Sequence, residues 1–121
     1  MGANYSGCAY YRVPNDWEGD VPLSICVSTD YLNVKVSMET QATIGAIGWW
    51  YDWKMELQRY DGGWKTVGSR TGWLSADSPS NRTFTNVLVS GKKMRVKVTF
   101  KYENYKGQII SFVRYSKTWT R

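Results

Sequence analysis

The sequence predicts an all-β domain, an antiparallel sandwich of about seven to eight strands. Two observations support this: no segment carries the helical period of apolar residues, and short runs alternate between apolar and polar residues. Clusters of Gly, Asn, Asp and Ser separate these runs, as turns do between strands. A chain of 121 residues supports one core, so 1–121 is expected to be a single domain. A small closed β-barrel is the alternative.

The first two strands are predicted from the positions of the two cysteines. If "CAYYRV" pairs with "VPLSICV", the antiparallel register that opposes Val13 to Val21 also opposes Cys8 to Cys26. Directly opposed residues lie within reach of a disulfide. We therefore predict a Cys8–Cys26 disulfide, which ties residues 3–20 on as an N-terminal extension and indicates an oxidising compartment. Two reduced, buried thiols in a cytosolic protein are the alternative.

Three later runs are predicted to be strands by their alternation. "YLNVKVSMET" turns Leu32, Val34, Val36 and Met38 towards the core. "RTFTNVLV", residues 82–89, alternates Thr with larger groups. The clearest strand is "MRVKVTFKY": Met94, Val96, Val98, Phe100 and Tyr102 face inward, and Arg95, Lys97, Thr99 and Lys101 face outward. A turn at "ENYKG" then leads to "QIISFVRYSKTW" as the last strand.

The run 49–60 contains three of the seven tryptophans and follows the same rule. One face is expected to be core: Trp49, Tyr51, Trp53, Met55 and Leu57. The other face is expected to be outward: Trp50, Asp52, Lys54, Glu56 and Gln58. "DGG" predicts a hairpin turn, after which Trp64 begins the returning strand "WKTVGSRTGW". Trp50 is the tryptophan for which this arrangement offers no structural role.

Residues 21–119 resemble the immunoglobulin-like and fibronectin type III superfamily. The likeness lies in a central Trp-bearing strand followed by "LQRYDGGWKTVGS", and in "VSGKKMRVKVTFKYENYKGQIISFVRYSKT", which is similar to the paired final strands of those domains. Met94 stands where those domains usually carry Tyr. "LQRYDGGWKTV" also resembles the central hairpin of small secreted sandwich proteins of Gram-positive bacteria. The resemblance implies an immunoglobulin-like sandwich and brings no catalytic residues.

Charge is unevenly distributed along the chain. The net charge is +6, of which residues 92–121 contribute +8 and residues 1–91 contribute −2. Such asymmetry suggests an anionic partner: nucleic acid, an anionic polymer or a membrane surface. A basic face that only maintains solubility is the alternative.

Catalytic and metal-binding residues are not expected. The sequence has no histidine, and therefore lacks the usual general base and the commonest metal ligand. Asp52 and Glu56 share a strand face at a separation of about 13 Å, whereas glycosidases need roughly 5 to 9.5 Å between their carboxyl groups. "NDWEGD" lacks the residue order of a calcium loop and is interpreted as a solvated turn. We expect no catalytic residue, no metal and no cofactor.

In an immunoglobulin-like sandwich, the strand 49–60 neighbours 93–102, which in turn neighbours 108–119. Their outward groups would form one patch, to which the Tyr of the 103–107 turn is added. The predicted ligand-binding residues are Trp50, Asp52, Lys54, Arg95, Lys97, Lys101, Tyr105 and Arg114. A flat aromatic beside charged groups suits a sugar ring, and a row of cations suits an anionic polymer or anionic lipid head groups.

These features predict a secreted, non-catalytic binding module for an anionic or carbohydrate ligand of a cell envelope, with an anionic membrane surface as a further partner. "MGANYSGC" begins abruptly, and Met1 is interpreted as an initiator placed on a mature secreted chain. One alternative is a bacteriocin-like, antimicrobial toxin that acts on bacterial envelopes. Another is a single-stranded nucleic-acid binder. Nucleic acid is disfavoured because no RNA-binding signature is present and the predicted disulfide places the protein outside the cell.

Overall fold

The computed structural model describes residues 4–15, 19–40, 50–76 and 78–121. Within these ranges the chain forms nine strands and no helix. Their bounds are β1 Tyr5–Asn15, β2 Gly19–Thr29, β3 Val34–Thr40, β4 Tyr51–Tyr60, β5 Trp64–Leu74, β6 Ser80–Phe84, β7 Lys93–Glu103, β8 Ile109–Tyr115 and β9 Trp119–Thr120.

The strands form two antiparallel sheets that pack as a sandwich. One sheet has the order β1-β2-β3-β6 and the other the order β5-β4-β7-β8, with β9 also paired to β7. The chain therefore changes sheet between β3 and β4, between β5 and β6, and again between β6 and β7. These crossings place β3 beside β6 and β4 beside β7, as in immunoglobulin-like sandwiches. The predicted fold class is confirmed, and the barrel alternative is wrong.

The disulfide between the first two strands is confirmed. β1 pairs with β2 in the predicted register, which opposes Cys8 to Cys26 and Val13 to Val21. The two cysteine Cα atoms are 4.0 Å apart, and the sulfur atoms are bonded. Because neighbouring Ala9 is buried, the disulfide lies on the solvent side of its sheet. β1 thus occupies the edge of the four-stranded sheet and is fixed there covalently.

The inward faces of both sheets form one hydrophobic core. The predicted inward residues of β3, β4 and β7 that the structure describes are all buried, except for Leu32. Trp49 lies outside the described residues. The fully buried aliphatic and aromatic core residues include Val13, Val21, Leu23, Ile25, Val34, Val36, Met38, Tyr51, Met55, Leu57, Leu74, Met94, Val96, Val98 and Phe100.

The prediction that Leu32 is a core residue is wrong. β3 begins at Val34, and Leu32 lies exposed in the preceding turn. The carboxylate of Asp30 closes this turn by accepting the backbone N–H groups of Asn33 at 2.8 Å and Leu32 at 2.9 Å. These hydrogen bonds lower the pKa of Asp30, with the Asn33 amide as the larger cause. The turn chemistry of Asp30 therefore interrupts the alternation that the sequence suggested.

Two further strands are shorter than predicted. The strand expected over 82–89 ends at Phe84, and Asn86 adopts a left-handed conformation with φ of 55° that is incompatible with a continuing strand. The last strand is split into β8 and β9. Between them, the Ser116 hydroxyl accepts the Val96 N–H at 2.8 Å, so a side chain replaces part of the backbone ladder.

Tyr51 forms the aromatic centre of the core. Its ring meets the rings of Phe100, Tyr102 and Phe112 edge-on, at centroid distances of 5.7, 5.6 and 5.4 Å. Its hydroxyl donates a hydrogen bond to the carbonyl of Pro14 in β1, on the opposite sheet. Burial raises the pKa of Tyr51, because the phenolate would be poorly solvated there. Tyr51 therefore joins the two sheets through both packing and a polar contact.

Arg121, the last residue of the sequence, is buried despite its charge. Its guanidinium donates to the carbonyls of Asp30 at 2.8 Å, Tyr31 at 3.1 Å and Val87 at 3.0 Å. These acceptors replace water around the cation, and burial still lowers its pKa. Arg121 thereby ties the turn before β3 to the segment after β6.

Removing the disulfide is expected to destabilise the fold without abolishing it. The double variant Cys8→Ser/Cys26→Ser should lose about 3 kcal/mol of unfolding free energy, because the unfolded chain gains the freedom of the opened loop. The core of the other strands stays intact in this variant. Urea unfolding followed by tryptophan fluorescence measures the loss, and an unchanged midpoint would contradict the expectation.

Gly72 is expected to be intolerant of a methyl group. A Cβ there would lie 2.6 Å from Cζ2 of Trp53 and 2.7 Å from a guanidinium nitrogen of Arg82. Because the Trp53 ring is buried and cannot move aside, Gly72→Ala should cost about 1 to 3 kcal/mol. Gly63→Ala is the matched control, since a Cβ at Gly63 meets no atom within 4 Å. Equal melting temperatures for the two variants would refute this packing account.

Candidate binding surface

The solvent side of the five-stranded sheet, called here the outer face, is built by cross-strand register. Each outward residue of β4 lies between one residue of β5 and one of β7. The four rows are Trp73–Asp52–Lys101, Thr71–Lys54–Thr99, Ser69–Glu56–Lys97 and Thr66–Gln58–Arg95. The structure thus brings five of the eight residues predicted to bind ligand onto one surface: Asp52, Lys54, Arg95, Lys97 and Lys101.

Two predicted aromatics lie near one end of this surface. Trp50 precedes β4 directly and is 52% exposed, while the next residue, Tyr51, is fully buried. Tyr105 is 79% exposed in the turn between β7 and β8, with the ammonium of Lys106 5.6 Å from its ring centroid. The side chain of Asn104 supports this turn by accepting backbone N–H groups. Tyr105 therefore lies beyond the end of the sheet rather than on it.

The assignment of Arg114 to the patch is wrong. Arg114 is paired with inward-facing Val98, so its side chain leaves β8 on the core side of the sheet. Because β8 is an edge strand, this position is open enough to hold a cation. The guanidinium packs 5.1 Å from the ring centroid of Phe112 and 5.8 Å from that of Tyr11 in β1. Arg114 covers the open side of the sandwich between β1 and β8.

Two tryptophans on the outer face, Trp64 and Trp73, were not foreseen as binding residues. They are nine positions apart, and a regular strand would turn them to opposite faces. The pairing shifts between Leu57 and Gln58, where Val67 of β5 is left as an extra residue. This β-bulge turns both tryptophans outward. The one signal for it in the sequence was Gly68 next to the bulge, since glycine within a strand often marks such a site.

Arg95 is held between two aromatic rings. Its guanidinium lies 4.2 Å from the ring centroid of Trp64 and 4.3 Å from that of Tyr115. Its Nε donates to Oε1 of Gln58 at 2.8 Å. Gln58, predicted to be outward, does leave the sheet on this side but is buried beneath these groups. Arg95 is therefore a fixed cation framed by aromatic surface.

The other charges on the outer face are mixed in sign. Lys54, Lys97 and Lys101 accompany the two carboxylates of Asp52 and Glu56. Over the described ranges, no nitrogen of these lysines lies within 4.0 Å of a carboxylate oxygen, and the ion pairs found there all involve Asp61. Side chains of both signs thus lie side by side on the outer face.

The solvent side of the four-stranded sheet has a different chemistry. Around the disulfide lie small hydroxyl and amide groups, such as Ser37, whose hydroxyl donates to Asn81 at 2.8 Å. Lys35 and Tyr10 are exposed on this side, but no tryptophan of the described chain belongs to it. Aromatic rings and lysines are therefore concentrated on the other sheet.

The described part of the chain contains neither a cluster of metal-ligating side chains nor a membrane-spanning helix. No three Cys, Asp or Glu side chains there come together in a way that could hold a metal ion. Asp16 and Glu18 of the predicted "NDWEGD" turn lie outside the described residues. None of the described residues form a helix with the length and apolar character needed to cross a membrane.

The fold and surface define an immunoglobulin-like β-sandwich that presents an aromatic and basic sheet face. Comparison with known proteins found no matching family model, no similar curated protein and no similar solved structure.

Trp53 is expected to behave as a buried tryptophan, and Trp50 and Trp73 as exposed ones. Trp53 is buried, donates from Nε1 to the Ser80 hydroxyl at 3.1 Å, and packs against Gly72. Trp53→Ala should cost about 3 to 5 kcal/mol of stability. Trp50→Ala and Trp73→Ala should each cost less than about 1 kcal/mol, because both side chains are more than half exposed. Thermal melting compares the three, and a larger loss for Trp50→Ala than for Trp53→Ala would reverse the assigned faces.

Proposed function

We propose that the protein is a non-catalytic binding module whose outer face binds an anionic or carbohydrate polymer of a cell envelope. One observation carries the proposal: exposed tryptophan, a ring-framed arginine and several lysines share a single sheet face. Trp73 lies at one end of that face and Arg95 near the other. The opposite sheet has no comparable combination among its described residues.

The dimensions of the face favour an extended ligand. From Asp52 to Tyr60 the strand advances eight residues, or about 26 Å at roughly 3.3 Å per residue. Four strands at a spacing of about 4.8 Å make the face about 14 Å wide. A flat surface of this length can contact several units of a chain, whereas compact ligands usually bind in concave pockets.

The chemistry of the face favours a sugar-containing chain over a plain polyanion. The rings of Trp50 and Trp73 offer flat apolar surfaces for the apolar side of a sugar, and Asp52 beside them can accept hydrogen bonds from its hydroxyl groups. Lysines Lys97 and Lys101 can pair with phosphate or carboxylate groups. Asp52 and Glu56 would repel a backbone that carries a charge at every unit, such as single-stranded nucleic acid.

An extracellular location is part of the proposal. The Cys8–Cys26 disulfide supports it, because disulfides persist in oxidising compartments and are rare in the cytosol. Envelope polymers are found in the same surroundings. A natively purified protein with an intact disulfide is therefore the appropriate material for binding experiments.

The test measures binding of the whole protein to purified anionic cell-wall polymer at about 50 and about 500 mM sodium chloride. Trp73→Ala should weaken binding by about 2 kcal/mol, roughly thirtyfold, because an exposed aromatic anchor is lost. Lys97→Gln/Lys101→Gln should weaken it mainly at low salt, since salt screens exposed charges. Tyr10→Ala and Lys35→Gln are matched controls on the opposite sheet and should leave binding unchanged.

Neutral polysaccharide, anionic vesicles and single-stranded DNA serve as competing ligands in the same assay. If the control variants weaken binding as much as the outer-face variants, the proposed surface is wrong. If DNA binds more tightly than the wall polymer and loses affinity more steeply with salt, a nucleic-acid function replaces the proposed one.

A further inference from the structure

We infer that a pocket at one end of the outer face binds a single sugar unit that carries a phosphate or carboxylate group. This inference deepens the proposed function, on which it rests, by naming the unit bound where the face ends. The pocket, called here the end pocket, is lined by Tyr60, Gly62, Trp64, Gly91, Lys92 and Lys93.

Two turns form the walls of the end pocket. One is the hairpin between β4 and β5, and the other is the turn that precedes β7. Gly62 and Gly91 have φ angles of 71° and 73°, and a Cβ at either position would meet no atom within 4 Å. The backbone of both turns therefore borders open space. The cavity measures about 630 Å³, within the range of about 300 to 1,000 Å³ typical of small-ligand sites.

Tyr60 and Trp64 give the pocket a fixed aromatic corner. Their ring centroids are 5.4 Å apart and the ring planes meet at 71°. Arg95 stacks on Trp64 and is itself held by Gln58, so Trp64 is positioned before any ligand arrives. A corner of two rings offers an apolar surface to the apolar face of a pyranose, at little cost in ordering.

The positive charge of the pocket comes from two adjacent lysines. The carboxylate of Asp61 forms ion pairs with Arg59, at 2.8 Å, and with Lys92, at 3.5 Å. The hydrogen bond from Arg59, followed by the contacts with Lys92, lowers the pKa of Asp61, which is therefore ionised and already neutralised. Within the described ranges, no carboxylate lies within 4.0 Å of the Lys93 ammonium. Lys93 faces the same side as Arg95 and can pair with an anionic substituent.

The aromatic corner and the lysine ammonium groups together favour a sugar ring that carries an anionic substituent. A neutral sugar would use only the corner, and inorganic phosphate would use only the lysines. A sugar phosphate or a uronic acid would use both and should bind more tightly than either fragment. The phosphate of a sugar phosphate and the carboxylate of a uronic acid would both pair with the lysine ammonium groups. Separate titrations with the two sugars show which of them the pocket binds.

The experiment is a titration of the isotopically labelled full chain, followed by two-dimensional NMR, with glucose 6-phosphate, glucuronate, glucose and inorganic phosphate. At least one of the two anionic sugars should shift the amide signals of Gly62, Gly91 and Lys93 and the indole N–H of Trp64. Its dissociation constant should be about tenfold lower than that of glucose or phosphate. Lys93→Gln should weaken this binding about tenfold, as expected for a lost charge-assisted contact. Lys35→Gln, an exposed lysine on the opposite sheet, should not weaken it.

A second variant tests the aromatic corner. Tyr60→Ala should remove the preference for the anionic sugar over inorganic phosphate while the lysines still bind anions. The inference is overturned if neither glucose 6-phosphate nor glucuronate binds the native protein more tightly than inorganic phosphate does, or if the shifts lie away from the end pocket. If no small ligand binds but the wall polymer still does in a Trp73-dependent manner, the inference fails and the proposed function stands. If anionic sugars bind while the polymer does not, the face proposal fails instead.

Discussion

The pairing of β4 with β7 determines both the core and the outer face. These two strands lie at the centre of the five-stranded sheet, and their side chains alternate in phase. Inward, the alternation gathers Tyr51 and Phe100 into the aromatic centre of the sandwich. Outward, the same alternation lines up carboxylates with lysines, as in the pair Asp52 and Lys101. A shift by one residue would exchange the two sets, so core stability and surface chemistry depend on a single register.

Arginine and lysine have different roles in this fold, although both contribute to the basic charge. Several arginines are structural: Arg70 and Arg82 pack on the rings of Phe84 and Trp53, Arg114 packs on Phe112, and Arg121 is buried against backbone carbonyls. The planar guanidinium stacks on aromatic rings and presents five N–H donors in a rigid fork, whereas the lysine ammonium is a compact, strongly hydrated charge with three donors. The positive charge that is not engaged in packing on the outer face therefore comes mainly from lysines such as Lys97 and Lys101.

The two open sides of the sandwich are closed by contacts of one kind. Between β1 and β8, the hydroxyl of Tyr11 donates to the carbonyl of Tyr115 at 2.6 Å beside the Arg114 cation. Between β5 and β6, Arg70 donates to the carbonyl of Thr83 at 3.3 Å while it covers the ring of Phe84. In both places the apolar part of a long side chain packs against the core at the edge of the sandwich. The polar end of that side chain donates a hydrogen bond to a strand carbonyl.

The sequence by itself determined whatever depends on a two-residue period or on a direct cross-strand register. The buried and exposed faces of β4 and β7 follow from alternation, and the Cys8–Cys26 bond follows from the same register that pairs Val13 with Val21. Both rules are local, because each side chain's direction is fixed by its immediate neighbours in a regular strand.

Only the tertiary structure decided the features that depend on a partner strand. Val67 is an extra residue only with respect to its pairing with β4. This single insertion turns Trp64 and Trp73 to the same side of the sheet. Arg114 can occupy an inward position because β8 lies at an open edge next to β1, which the period of β8 does not reveal. Bulges, edges and side-chain stacking arise from contacts between segments distant in sequence. The apolar–polar pattern within one segment therefore does not predict them.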